Sequence, residues 1–203
     1  MRILIVLCVV LVTSCASIRD ITNTLASLQR MQFKLANITG MRLAGVDVSR
    51  IASPSSLSIT DALALTQAFA RRTLPASFTL NVDAKNPNTG VSGTKSVPLT
   101  LNDFQWRLLI DDKQTISGGL GNPVDVPGNG MTTTLPLVMN IDLYSFFADK
   151  GYDGLVNLAL ALGGQRGSAA RVKLDAMPTV GTPLGPFTYP NRISIVDTEF
   201  RGS

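Results

Sequence analysis

Ser77-Phe78-Thr79-Leu80-Asn81-Val82-Asp83-Ala84-Lys85 alternates apolar and polar side chains without a break, and Asn86-Pro87-Asn88 follows at once. Period two puts Phe78, Leu80, Val82 and Ala84 on one face and the polar residues on the other, the signature of a strand with one buried and one solvated face. The Asn-Pro-Asn tripeptide ends it. Proline fixes φ near −65° and asparagine side chains bond nearby backbone, so Asn86, Pro87 and Asn88 read as a structural turn. An antiparallel sheet, half buried, is therefore the first element of the fold.

Downstream the same pattern repeats in short units. Val97, Leu99 and Leu101 alternate, then Phe104, Trp106, Leu108 and Ile110 do so after Asn102-Asp103. Asp111-Asp112-Lys113 reads as a hairpin turn, with Gln114 to Leu120 pairing back. Pro127-Gly128-Asn129-Gly130 is a strong turn signal. Beyond it Thr133, Leu135, Leu137, Met139, Ile141 and Leu143 alternate, and Pro136 confines that strand to a sheet edge or a bulge. Val172, Leu174 and Ala176, and then Ile193 and Ile195, mark the last strands, separated by the turn-rich Gly181-Thr182-Pro183-Leu184-Gly185-Pro186.

Upstream, Met31, Phe33 and Leu35 predict a strand, Asn37-Ile38-Thr39-Gly40 a turn, and Met41 to Val48 a second strand. Asn37 also begins a glycosylation sequon, which we read as chance. Two stretches break the sheet pattern. Over 53–74, Ser58 or Thr60 can cap a helix with Ala62, Leu63, Leu65, Ala68 and Phe69 as its apolar positions; Arg71-Arg72 suit its negative pole, and Pro75 stops it. Over 144–162, Phe147, Leu155, Val156, Leu158, Ala159 and Leu162 form a helical stripe read as the lid of a core. Seven to nine short strands at regular spacing with two inserted short helices predict a mainly β fold, an antiparallel immunoglobulin/fibronectin-like β-sandwich.

The first residues have a different logic. Met1-Arg2 precedes the apolar run Ile3 to Val12, too short to span a bilayer and suited to a secretory signal. It ends in Val12-Thr13-Ser14-Cys15, which resembles the bacterial lipobox. Residues 1–14 are thus expected to be a lipoprotein signal peptide. Residues 15–30 are then the lipidated Cys15 and a leader, and 31–200 the folded domain. Acylation at Cys15 would make the membrane the partner, since each buried CH₂ contributes about 0.8 kcal/mol and more than one chain is needed for stable anchoring. By resemblance to enterobacterial lipoproteins, Ala16 permits sorting to the outer membrane, facing the periplasm.

Composition narrows the chemistry. The 203-residue chain has no histidine, which removes His-based acid/base catalysis, Ser-His and Cys-His nucleophile pairs and imidazole metal ligands. Its two cysteines, Cys8 and Cys15, both lie at the N-terminus, leaving the domain without disulfides or thiolate metal sites. The net charge of +4 comes from scattered Lys and Arg, and one Trp and three Tyr offer little stacking surface, so nucleic acid is not expected. Asp111-Asp112 reads as a solvated turn rather than a carboxylate pair. Asp149 and Asp153 lack the surrounding oxygens of a calcium loop, and Gly163 to Gly167 lacks the Lys-Ser/Thr of a phosphate loop. Neither a metal nor a cofactor is expected.

The ordered set of Phe78 to Asn88, Phe104 to Ile110, Asp111-Asp112-Lys113, Ser117-Gly118, Pro127 to Thr133 and Thr182 to Gly185 resembles the late embryogenesis abundant (LEA) type 2 family, also called the water-stress-and-hypersensitive-response (WHy) domain. With the helical stretch at 53–74 and the lipobox, it is similar to bacterial lipoprotein members, Bacteroidetes-like. The resemblance implies a sandwich without enzymatic activity, serving envelope stability, stress protection or interaction. It also leaves open a carrier or shield for lipid or another apolar ligand. A groove open at one end would favour carriage, and a filled core would favour structure.

Overall fold

A computed structural model of the chain describes residues 31–87, 89, 96, 98–163, 171–182 and 185–196. The signal segment, Cys15, the leader, Asn88, Val97 and Asp197 lie outside the described residues, as do 164–167 of the glycine-rich stretch.

Apolar–polar alternation produces two antiparallel sheets. The strands are β1 (Gln32–Leu43), β2 (Val46–Asp47), β3 (Pro75–Lys85), β4 (Leu99–Ile110), β5 (Lys113–Gly118), β6 (Val124–Val126), β7 (Thr132–Asp142), β8 (Val172–Thr182), β9 (Gly185–Thr188) and β10 (Ile193–Ile195). The first sheet has the order β2-β1-β3-β7, and the second β10-β8-β4-β5, with β6 also on β4 and β9 also on β8. The chain is thus the mainly β, antiparallel sandwich expected. In β3 the residues from Ala76 to Ala84 alternate between buried and half-buried without exception, so Phe78, Leu80, Val82 and Ala84 face the core as read.

Two expected breaks are corrected. Asn37-Ile38-Thr39-Gly40 is no turn: β1 runs through it, and the pairing with β3 shifts register between Leu35 and Asn37 and again between Thr39 and Arg42. The turn residues are there because a β-bulge also needs them: Gly40 takes φ +65°, which a side chain would strain. Asn37 is held in the sheet by a 2.7 Å bond from Asn81 Nδ2 to its Oδ1. The second correction is at Asn102-Asp103. The inward residues change parity there, from Leu99 and Leu101 to Phe104 and Trp106, and one extra residue in the ladder absorbs the change. A single bulged strand β4 replaces the two strands expected. Asp103 Oδ1 satisfies backbone left unpaired around the bulge, accepting from Phe104 N at 2.7 Å and from Leu120 N at 3.3 Å.

The helices are α1 (Ile59–Ala70), α2 (Leu143–Phe147) and α3 (Gly151–Leu162). Ser58 caps α1 by accepting from Asp61 N at 3.1 Å. The helix ends at Ala70, before Pro75, through Arg72 at φ +59°, and Pro75 opens β3 instead of stopping a helix. The expected second helix is split by a 3-10 turn at Ala148–Lys150, and Gly151 at φ +67° redirects the chain. In α3, Leu155, Val156, Leu158, Ala159, Leu160 and Leu162 are all buried, an arc too wide for a surface helix. The helix contacts β1, and the side chain of Met41 lies 3.5 Å from where a Gly163 Cβ would stand. These residues join both sheets in one hydrophobic cluster, so α3 closes the core as a lid.

Candidate functional site

The lipidation residue Cys15 lies outside the described residues; the other sites can be placed. Asn86 leaves β3 fully buried, the buried polar, non-aromatic side chain among the described residues. Its Nδ2 donates to the carbonyl of Val126 at 3.4 Å, from the first sheet to β6 in the second. The turn itself closes between Thr89 N and the Pro87 carbonyl at 2.9 Å. Asn86 is therefore a clamp between the sheets. Nothing in the tripeptide marks Val126 as its partner, because the contact spans forty residues of chain.

Asp111 and Asp112 form the tight turn between β4 and β5, with φ +49° and +63°, the double-positive geometry that suits a right-twisted hairpin. Their carboxylates diverge. Asp111 Oδ2 meets Lys150 Nζ at 3.3 Å and its Oδ1 accepts from Arg171 N at 3.2 Å. Asp112 Oδ1 meets Lys173 Nζ at 2.5 Å. The hydrogen bond from Lys173, helped by its charge, holds the Asp112 carboxyl below its usual range. Each carboxylate is thus tied to a separate lysine, and no shared proton or water-activating geometry arises. Beside them Lys113 donates to the Phe146 carbonyl, and the Lys113 and Lys150 ammonium groups lie 5.4 and 5.9 Å from the Phe147 ring centre. The corner pins α2 to the hairpin. Asp149 lies in the 3-10 turn and Asp153 in the first turn of α3.

Phe104 and Trp106 share the inward face of β4. Phe104 packs on Phe33 with ring centres 5.2 Å apart, which joins the two sheets. The Trp106 indole lies flat over Gly118: a Cβ there would stand 2.4 Å from the ring. Gly118 was legible only as part of a hairpin return. Its reason is the indole above it. Tyr189 is a residue that sequence patterning missed altogether. It is buried, its hydroxyl has no hydrogen-bond partner among the described residues, and burial pushes its phenol above the ordinary value. A shallow hollow of about 450 Å³ lies between Gly45, Pro75 and Asn140. The carboxylate at its rim, Asp142, is already engaged: it accepts from Leu74 N at 2.7 Å, Tyr144 N at 3.0 Å and Ser145 Oγ at 3.1 Å. Among the described residues no helix is long and apolar enough to cross a membrane.

No protein-family model matches the sequence, and no curated protein matches it. Solved structures with a distant likeness include a crystal structure of a protein from Archaeoglobus fulgidus. It has a TM-score of 0.32 and 10% identity, over 64% of this chain and 86% of that one. Another is a solution structure of an Arabidopsis thaliana protein, with a TM-score of 0.34 and 15% identity, over 65% of this chain and 72% of that one.

Proposed function

We propose that the chain is a non-enzymatic, lipid-anchored envelope protein, in which a LEA type 2-like sandwich is tethered through Cys15 and serves as a stability or interaction module. Two kinds of observation support the reading. The N-terminal segment has one charge, a short apolar run and the lipobox-like Val12-Thr13-Ser14-Cys15. Four polar side chains of the domain are committed to structural bonds: Asn86 to Val126, Asp142 to the start of α2, and Asp111 and Asp112 to lysines.

The observation that weighs most between module and carrier is the interior. Phe33 and Phe104 fill the space between the sheets, and Leu155, Leu158, Ala159 and Leu162 of α3 are packed into the same cluster. A lipid carrier needs that volume empty or able to open, and the burial of these side chains in one cluster supports the module reading.

Fractionation of cells expressing Cys15→Ser tests the anchor. The variant is expected in the soluble fraction with its fold intact, because Cys15 precedes the first core strand. Retention in washed membranes would overturn the lipobox reading. Native mass spectrometry of the released protein separates the two roles: the module reading expects the bare polypeptide mass, and a stoichiometric lipid adduct would favour the carrier.

A further inference from the structure

Among the described residues the outer edge of β7 is an open strand edge. β7 pairs with β3 from Thr132↔Lys85 to Asp142↔Pro75 without a register shift, and it is the last strand of its sheet. Just beyond it, Leu143 N donates to the Leu74 carbonyl at 2.9 Å. Odd-numbered residues therefore turn their N–H and C=O groups towards β3, and even-numbered ones turn theirs outward. Pro136 fits this phase, since its missing N–H falls on the outward side. Among the described residues, the outward groups of Thr134, Val138 and Asn140 have no backbone partner outside the β3 ladder.

Natural sheets guard such an edge with charge, bulges, shortness or a covering segment. β7 has eleven residues, no bulge, and no charged side chain from Thr132 to Ile141. Among the described residues Pro136 is its one guard. Val138, two residues away, is a 69% exposed β-branched side chain at the middle of the strand.

We propose that β7 is a docking edge for a second copy of this chain, paired antiparallel about a two-fold axis at Val138. That register places Val138 beside its own copy, where the two can exchange both backbone hydrogen bonds and bury their exposed side chains against each other. Asn140 N–H then meets the Pro136 carbonyl of the second copy, so the proline's missing donor costs a bond only on its other side. The strand's neutrality argues for this occupant. A two-fold pairing sets each side chain against the same sequence reversed, so a charged strand would oppose like charges near the axis, and this one opposes none. The two sheets would join into one continuous sheet, leaving no β7 edge exposed.

Sedimentation equilibrium of the full chain in density-matched detergent, over a concentration series, tests the proposal. The wild type is expected to approach twice its single-chain mass at the upper end of the series. Val138→Lys should return it to the single-chain mass with an unchanged circular dichroism spectrum, and Val138→Ile should keep the dimer. A wild type that stays at single-chain mass throughout overturns the proposal, whether the edge is bare or takes a different protein. A dimer that Val138→Lys leaves intact overturns it as well.

Discussion

Single atoms decide several positions here. At Gly118 the deciding neighbour is the Trp106 ring, 2.4 Å from the place a Cβ would take. Gly118→Ala must push a buried indole aside, so a loss of about 1–3 kcal/mol is expected, as for overpacking elsewhere. Urea unfolding monitored by the fluorescence of Trp106, the chain's one tryptophan, measures the loss and reports the displaced ring together. Tyr189 presents the opposite case. Its hydroxyl is buried without a partner among the described residues, so Tyr189→Phe should leave stability unchanged or raise it, because an unsatisfied polar atom is removed at constant shape. The same burial couples folding to alkali. The phenol's pKa is raised in the folded state above the ordinary value of about 10. Above that pH the unfolded chain releases a proton that the folded chain retains, so stability falls as pH rises from about 10 upward. Urea midpoints measured on either side of that pH should fall more steeply for wild type than for Tyr189→Phe; parallel slopes would remove Tyr189 from the explanation.

Elements show where periodicity was sufficient and where it was not. β3 was legible because its burial alternates at every residue, and the pairing is open to a direct test. Leu80→Ala should cost about 2–5 kcal/mol, while Thr79→Ala on the solvent face should stay within about 0.5 kcal/mol. If Thr79→Ala proved the costlier, the face assignment would be reversed. α1 was legible from its cap as well as its stripe: Ser58 accepts from Asp61 N, and Ser58→Ala should lower stability by about 1 kcal/mol in thermal or urea melts. β1 and β4 were misread as pairs of strands for one reason. Residues that favour turns also favour bulges, and only the partner strand determines which is formed. β3 continues opposite Asn37 to Thr39, and β8 continues opposite Asn102-Asp103, so the chain bulges and goes on.

At the scale of the molecule the two sheets share one hydrophobic cluster, with α3 buried in it. Sheets and lid should therefore unfold together. Trp106 fluorescence and far-ultraviolet circular dichroism are expected to give coincident urea transitions, and Leu155→Ala in α3 should shift both by the same amount, about 2–5 kcal/mol. Separate transitions would mean that the lid is an independent unit, and a lid that opens alone would return the carrier role to consideration.

What the linear sequence determined by itself is what depends on local spacing: the inward faces of β3, β4, β7, β8 and β10, the Ser58 cap of α1, the double-aspartate turn, the proline on an edge strand, and the absence of histidine and of cysteine beyond Cys15. These follow from side-chain period and backbone preference, which act over a few residues. What only the tertiary structure decided rests on contacts between residues far apart in the chain. Asn86 as a clamp on Val126, Gly118 under Trp106, bulges in place of turns, and, among the described residues, Tyr189 without a partner and the unpaired outer side of β7 all depend on which strand lies next to which. Local preference cannot specify that choice. It is made when both sheets and α3 bury their apolar faces in one core, and the long-range hydrogen bonds then follow from the neighbours that packing has supplied.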